Sequence, residues 1–596
     1  MASSFFDQPI LNSPYLPPTR HHPLDKEGQP LDAPPVEQRR RSELLTPVPK
    51  PRKRKRGGGD AGDGSLFDRD EGTNSKQKYD VNLLVNTIRS HVDGWRRLKS
   101  PADWGVTPAT ARLLTHWRSH QFNGPRPFFC QVEAVETMIW LTEVARGDRK
   151  FKPIWDQIAD ANKDANPELM RLAMKMATGS GKTTVMSMLI AWQTVNAVRS
   201  PMSPLFSRGF LIIAPGITIK DRLRVLLPDD TDSYYRTREI LPLDLLPDMG
   251  KAKIIITNYH AFKLRETIQA SKVTKDLIEG RVPGRGEKLR SLQTEGQMLA
   301  DVCSELLAMK NVAKENNEAA RLWISGIEAL NRKIGVRATY DLSATPFFLR
   351  GSGYAEGTLF PWTVSDFSLM DAIECGIVKL PRVPVADNLP EGDMPIYRDL
   401  WNHLKEQGYS LPKKGAAKSG VLDPLSLPPP IQTALHSLYD HYVKVFEEWK
   451  RAGITVPPVF IVVCNNTSTS KLVYEWIAGF ERESEDGEKI NEHSGALALF
   501  QNYDEHGNRR ARPNTILIDS AQLESGEALD KDFRAAAAAE IAQFQNEMRI
   551  RGASQKEVDS LDEADLLREV MNTVGKEGRL GQNVRCVVSV SMLTEV

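Results

Sequence analysis

A chain of 596 residues and 66.8 kDa is too long for one domain and predicts roughly three to four, at about 150 residues each. Its 40% hydrophobic and 26% charged residues are enough to build buried cores. With 78 Lys+Arg against 77 Asp+Glu the net charge is +1, which excludes nucleic-acid binding by bulk positive charge but allows local basic patches. No apolar run reaches the ~18 residues of a spanning helix, so no membrane association is expected. The start, MASSFFDQPI, lacks the basic-then-apolar layout of a secretion signal. Cys130, Cys303, Cys375, Cys464 and Cys586 form no CxxC pair. This argues against a disulfide framework or a zinc cage and fits a reducing cytoplasm.

Taken in order, residues 1–78 read as a disordered tail. Eleven of the 38 prolines fall within the first 51 positions, and apolar periodicity is absent. The tail holds two basic runs, Arg39-Arg40-Arg41 and KPRKRKR from Lys50 to Arg56. They read as a solvated tail, as an arm that contacts DNA, or as a nuclear import signal. Residues 79–123 read as a small helical entry module, because Val81, Leu84, Val85, Ile88, Val92 and Trp95 fall on one helix face. From 124 to about 350, apolar β runs alternate with helical segments. GFLIIAP (209–215) and KIIITN (253–258) are short, β-branched and turn-bounded, as buried strands are. The alternation predicts an α/β fold with a parallel sheet covered on both faces. Residues 411–430 read as a linker. Beyond it come a helix, a strand at PVFIVVC (458–464), a long helical stretch, and a last apolar run at VRCVVSVSML (584–593).

The strongest chemical signal is MATGSGKT, Met176 to Thr183. Glycines permit the tight turn and the close approach that let backbone N–H groups surround phosphates. Thr178, Gly179, Ser180 and Gly181 would form that cradle. Lys182 would reach the β- and γ-phosphates, and the Thr183 hydroxyl would bind Mg²⁺. The following helix would add its N-terminal dipole. Upstream, in RPFFCQVEAVETM, the amide of Gln131 can pair with both edges of adenine, and Phe128 or Phe129 can stack on it; a plain helix-surface role for Gln131 is the alternative. Downstream lie APGITIKDRL (214–223), TNYHAF (257–262) and DLSATPFF (341–348). Ser343 and Thr345 are small hydroxyl residues suited to relaying the state of the γ-phosphate.

The series RPFFCQ, ATGSGKT, APG, TNYH and SATPF resembles the first motor domain of superfamily 2 DEAD/DEAH-box helicases. The stretch GSGYAEGTLFPWTVSDFSLMDAIECGIVKLPRVPV (351–385) is similar to the restriction subunits of type III restriction-modification systems. The resemblance implies tandem RecA-like P-loop NTPase domains, the first internally shortened and the second truncated. It places the first at 124–370, a connector at 371–430, and a partial second domain at 431–596. It implies an ATP-dependent motor on double-stranded DNA that uses ATP and Mg²⁺ and works with a methyltransferase subunit. Lys182, Thr183, Ser343 and Thr345 would be catalytic, and Gln131 would hold the adenine. By the family's pattern Pro215, Gly216, Thr257, Asn258, Asn465, Thr467 and Thr594 would lie along the DNA, contacting phosphates more than bases. Each of these, taken singly, is equally well an ordinary loop or cap residue.

Two parts of that pattern are not found. Phosphoryl transfer needs one carboxylate to hold Mg²⁺ and one to orient water. No strand ending in Asp-Glu occurs between Phe262 and Asp341, as if a strand and its acidic loop had been cut out; Glu295 or Asp301 could have taken over the acidic role. A gap in the first sheet is expected in consequence. A literal DEAD at Asp562–Asp565 follows the second-domain strand and reads as exposed helix charge. A motif VI arginine is also not found. These departures leave a second reading, a non-enzymatic nucleotide- and DNA-binding remnant of such a subunit.

Overall fold

In the computed structural model the described residues are 5–25, 28–42, 81–166, 168–214, 222–258, 324–348, 359–380, 400–411, 423–483, 489–518, 537–550 and 555–590, with a few short pieces between them. They fall into two units, Met1–Leu380 and Pro381–Val596.

The first unit opens with helices α1 (Val81–Arg96) and α2 (Pro108–Ser119). Leu84, Val85, Ile88, Val92 and Trp95 are all buried, as the spacing of α1 predicts. α2 starts at Pro108 behind Thr107, whose hydroxyl accepts the Thr110 N–H and so satisfies one orphan donor of the first turn. α3 (Phe129–Ile139) is buried along its whole length, and α4 (Lys152–Ala165) leads into strand β1 (Arg171–Met176). Helix α5 (Lys182–Arg199) then returns the chain to strands β2 (Gly209–Ala214) and β3 (Lys253–Asn258). After α6 (Ile324–Ile334) come β4 (Thr339–Ser343), β5 (Thr363–Phe367) and α7 (Leu369–Glu374).

The strands form two parallel sheets rather than one. β1 lies between β4 and β5, with Ala173 opposite Asp341 on one side and Thr363 on the other. β2 pairs only with β3, from Gly209 opposite Lys253 to Ala214 opposite Asn258. β1 and β5 are buried throughout, whereas β4 and most of β2 are half-buried. Among the described residues no strand joins β4 to β2, and the apolar run Phe210-Leu211-Ile212-Ile213 of β2 is half-buried.

The N-terminal tail is corrected by the structure. Residues 5–25 and 28–42 are packed on the first unit, with Phe5, Leu11, His22 and Ser42 buried. The Leu11 and Asn12 N–H groups both donate to the Glu374 carbonyl. Arg39 donates to both Glu133 carboxylate oxygens at 2.6 Å, and Arg40 pairs with Glu374. Two cations of the first basic run are therefore internal and are not part of a DNA arm. The Lys50–Arg56 run lies outside the described residues.

The second unit is built on strands β6 (Phe460–Cys464), β7 (Thr515–Ile518) and β8 (Cys586–Val590), all parallel, with β8 in the centre. Helix α8 (Pro429–Arg451) begins within the expected linker, where Pro429 and Pro430 need no N–H partner. Helix α9 (Thr467–Ala478) follows β6. The Asp562–Asp565 tetrapeptide sits at the start of helix α10 (Glu563–Asn572). Asp562 caps that helix, accepting the Asp565 N–H at 2.8 Å. All five cysteines are buried and free.

Candidate phosphate-binding site

The loop from Ala177 to Gly181 joins the C-terminal end of β1 to the N-terminus of α5. Gly179 and Gly181 have φ of +82° and +83°, which L side chains rarely adopt. Ser180 is buried, and its hydroxyl donates to the Ala177 carbonyl at 2.7 Å, curling the loop back on itself. Thr178 and Gly179 are exposed, and Gly181, Lys182 and Thr183 are half-buried. The first turn of an 18-residue helix opens here, with the Thr184 N–H turned back onto the Gly181 carbonyl, and a helix N-terminus of this kind is attractive to an anion.

The Lys182 ammonium rests on the Met176 and Ala177 carbonyls, 3.4 Å from each. Burial lowers its pKa, because desolvation disfavours the charged form. Among the described residues no carboxylate pairs with it, so an anionic ligand would supply the missing charge.

Gln131 is almost fully buried, at 3% exposure. Its Nε2 donates to the Ser180 carbonyl at 2.8 Å, and its Oε1 accepts the Phe128 N–H at 3.0 Å. It therefore ties the start of α3 to the phosphate loop. A β-carbon on Gly181 would lie 2.1 Å from Gln131 Nε2, so a side chain here would have to displace the Gln131 amide from Ser180 as well as adopt a strained φ.

Ser343 ends β4 opposite Lys175, and its hydroxyl accepts the Thr345 N–H at 3.0 Å. The acids beside the loop are engaged elsewhere. Asp341 accepts two bonds from Arg171, each 3.0 Å, and one from Trp362 Nε1, also 3.0 Å. Asp366 holds Lys175 at 2.7 Å and accepts the Ser42 hydroxyl at 2.7 Å. The loop thus fits phosphates, while Thr183 is the one expected metal ligand placed there. No group of three or more His, Cys, Asp or Glu suited to a metal occurs among the described residues. Glu295 and Asp301 lie outside them.

The expected DNA contacts are spread out. Thr257 is buried near the end of β3, and Asn258 is that strand's last residue. In the second unit Asn465 and Thr467 are exposed at the start of α9, where Asn466 caps the helix by accepting the Thr469 N–H at 2.9 Å. Pro215, Gly216 and Thr594 lie outside the described residues.

Sequence reasoning missed the N-terminal strap over this region. The Phe129 N–H donates to the Pro14 carbonyl at 2.8 Å. Tyr15 lies against Phe128 with ring centroids 5.7 Å apart, and Arg126 sits over the Tyr15 ring at 5.3 Å. Burial works to raise the Glu133 pKa, but Arg39 and Arg96 outweigh it and hold the carboxyl at about 2. Burial pushes Glu374 up to about 7 against the pull of Arg40. Neither acid belongs to a motif by which the sequence could have pointed to these pairs.

A glycine loop between a parallel strand and a long helix, braced by a glutamine from a preceding helix, defines a phosphate-loop domain of the α/β class. Residues 126–295 match the family model described as type III restriction enzyme, res subunit. That span carries Gln131, the phosphate loop and strands β1 to β3, and it covers well under half of the chain. The match is consistent with a Res-subunit-like protein of the DEAD/DEAH superfamily 2 and suggests a helicase-like motor domain. No curated protein and no solved structure matched the chain. No helix among the described residues is long and apolar enough to cross a membrane.

Proposed function

We propose that the first unit is the nucleotide-binding half of a type III restriction-type DNA motor, and that this chain binds ATP and duplex DNA. The observation that carries the reading is the loop at 177–181, with its two left-handed glycines, Lys182 lacking a carboxylate partner among the described residues, and Gln131 bracing the turn. On nucleotide binding Lys182 would leave the Met176 and Ala177 carbonyls for the β- and γ-phosphates, and the N–H groups of the first turn of α5 would meet the phosphate oxygens. Thr183 would hold Mg²⁺, which supplies charge neutralisation when bound. To pair with the adenine edges Gln131 would have to release the Ser180 carbonyl and the Phe128 N–H that its amide now engages; Phe128 or Phe129 would stack on the base, and Ser343 and Thr345 would couple the γ-phosphate to β4. The second unit would be the RecA-like partner domain. Thr257, Asn258, Asn465 and Thr467, with Pro215, Gly216 and Thr594, would run along the DNA backbone. A methyltransferase subunit would supply sequence choice.

A second reading, a binding protein without hydrolysis, is favoured by a specific observation. Asp341 and Asp366, the acids nearest the loop in strand order, are both tied to internal cations. Calorimetry with ATP and ADP tests the shared claim. Binding lost on Lys182→Ala is expected, and equal affinity with and without the substitution would refute use of the loop.

A further inference from the structure

In the second unit the segment Arg509-Arg510-Ala511-Arg512 leaves a hairpin closed by the Tyr503–Arg509 bridge and leads into β7. With Arg585, just before β8, these three arginines line one cavity of about 430 Å³. Asn514 and Asn583 share the wall, and of the described lining residues Ala511 alone is apolar. Asp504, also in the lining, is turned onto its own loop, where its Oδ1 accepts the His506 and Asn508 N–H groups at 2.9 and 2.8 Å. Arg512 is matched by Glu540 at 2.9 Å. Arg510 is exposed, and neither it nor Arg585 has a carboxylate partner among the described residues. Arg585 instead donates to the Leu499 carbonyl at 3.2 Å and lies over the Phe446 ring at 5.0 Å. Burial lowers the Arg585 pKa, and the charge of Arg510 adds to this against the pull of Tyr442. Four arginines set against Asp504 and Glu540 leave two positive charges unbalanced.

We propose that this cavity is a second phosphate-binding site, separate from the loop at 177–181, whose ligand is a pair of phosphate charges: the pyrophosphate end of a free molecule or neighbouring phosphates of a nucleic-acid backbone. A phosphate monoester carries about −1.5 to −2 near neutral pH, which balances the excess. Planar guanidinium forks fit its oxygens two at a time. The wall offers no aromatic face for a base, so the site reads charge and not sequence. The lining stretches 504–514 and 583–585 sit inside the continuously described segments 489–518 and 555–590. Asn514 and Arg585 precede the parallel strands β7 and β8. The chain leaves the described residues beyond the far ends of these strands, roughly 13–17 Å away at about 3.3 Å per residue. Asn465 and Thr467 follow β6, which is parallel to β8, so they too belong to that far end. The acidic turn Ser484-Glu485-Asp486-Gly487-Glu488 is the internal competitor for the pocket.

The test is calorimetry on the full chain carrying Lys182→Ala, so that the phosphate loop takes no part and the outcome is independent of the function proposed above. Inorganic pyrophosphate should bind saturably at one site. Arg510→Gln should weaken it at least tenfold without moving the melting temperature, and Arg510→Lys should recover part of the loss. A duplex without terminal phosphates separates the two sources: if it displaces pyrophosphate the pocket serves a nucleic-acid backbone, and if it does not the pocket serves a free phosphate compound. Three results would overturn the proposal: no pyrophosphate binding, or equal binding with and without Arg510→Gln; equally tight binding of succinate, a dianion without phosphate oxygens; or pyrophosphate binding that appears only after Glu485, Asp486 and Glu488 are replaced by their amides, so that the chain's own turn fills the pocket.

Discussion

Gly181 sets how closely the phosphate loop and α3 can approach. Gly181→Ala forces a β-carbon into the Gln131 amide, 2.1 Å away, at a φ of +83°. A cost of about 1–3 kcal/mol is expected from the backbone alone, together with loss of nucleotide affinity. Gln131→Ala in the same chain should recover part of the stability, because it removes the collision but not the backbone strain. A double-mutant cycle of thermal melts checks this, and strictly additive effects would show that the two residues do not meet. The strap offers a second test. Arg39→Ala leaves Glu133 buried with Arg96, which approaches it no nearer than 3.7 Å, so a loss of about 3 kcal/mol is expected. Glu133 also carries a pH signature. Its carboxyl is held below its ordinary value, so its contribution is complete above about 4.5 and is lost as pH falls through about 2. Denaturant melts across that window should show the wild type losing more stability than Arg39→Ala.

At the scale of elements, strands and helices were legible where burial follows a period. The face of α1 was readable from Val85, Ile88 and Val92, and β2 and β3 from their unbroken β-branched runs. Half-burial of β2 was not readable from its own residues, since it depends on a neighbour. The sequence predicts β2 and β3 as buried strands, and the structure corrects this: β2 is half-buried and β3 is partly exposed. The strap was missed for a different reason. Backbone bonds at Leu11 and Asn12 and ion pairs at Arg39 and Arg40 hold it down, so it has neither helical nor strand periodicity. The loop was readable because glycine is demanded at fixed positions, whereas the brace from Gln131 to Ser180 spans two elements and leaves no local trace. The split sheet and the engaged acids also predict the chemistry. Phosphate release should stay near background with and without duplex DNA. Among the described residues no carboxylate is placed to hold metal and orient water beside Lys182, and such terms dominate phosphoryl transfer, where a single arginine finger is worth ~10³ or more. DNA-stimulated turnover that Lys182→Ala abolishes would show that a carboxylate outside the described residues serves.

For the whole molecule, a net charge of +1 leaves DNA affinity to local basic groups, so it should fall steeply with salt. Removing residues 1–78 would be a poor test of the basic arm, because it would also strip the packed strap from the first unit. Replacing Lys50, Arg52, Lys53, Arg54, Lys55 and Arg56 with glutamine leaves the strap in place. The slope of log affinity against log salt should then flatten by about 0.9 for each phosphate that the run no longer neutralises. An unchanged slope would make that run a bystander.

The strap also fixes an order of events during synthesis. Ser42 bonds a residue 324 positions downstream, and Arg40 one 334 positions downstream. At roughly 5–20 residues per second, these partners leave the ribosome some tens of seconds after the strap does. In that interval Arg40 is without Glu374 and Ser42 without Asp366, although Arg39 can already meet Glu133, 94 residues on. The earliest part of the chain to be made is therefore among the last of the first unit to settle. A nascent chain stalled before Asp366 should leave the strap open to protease, and one stalled well past Glu374 should not.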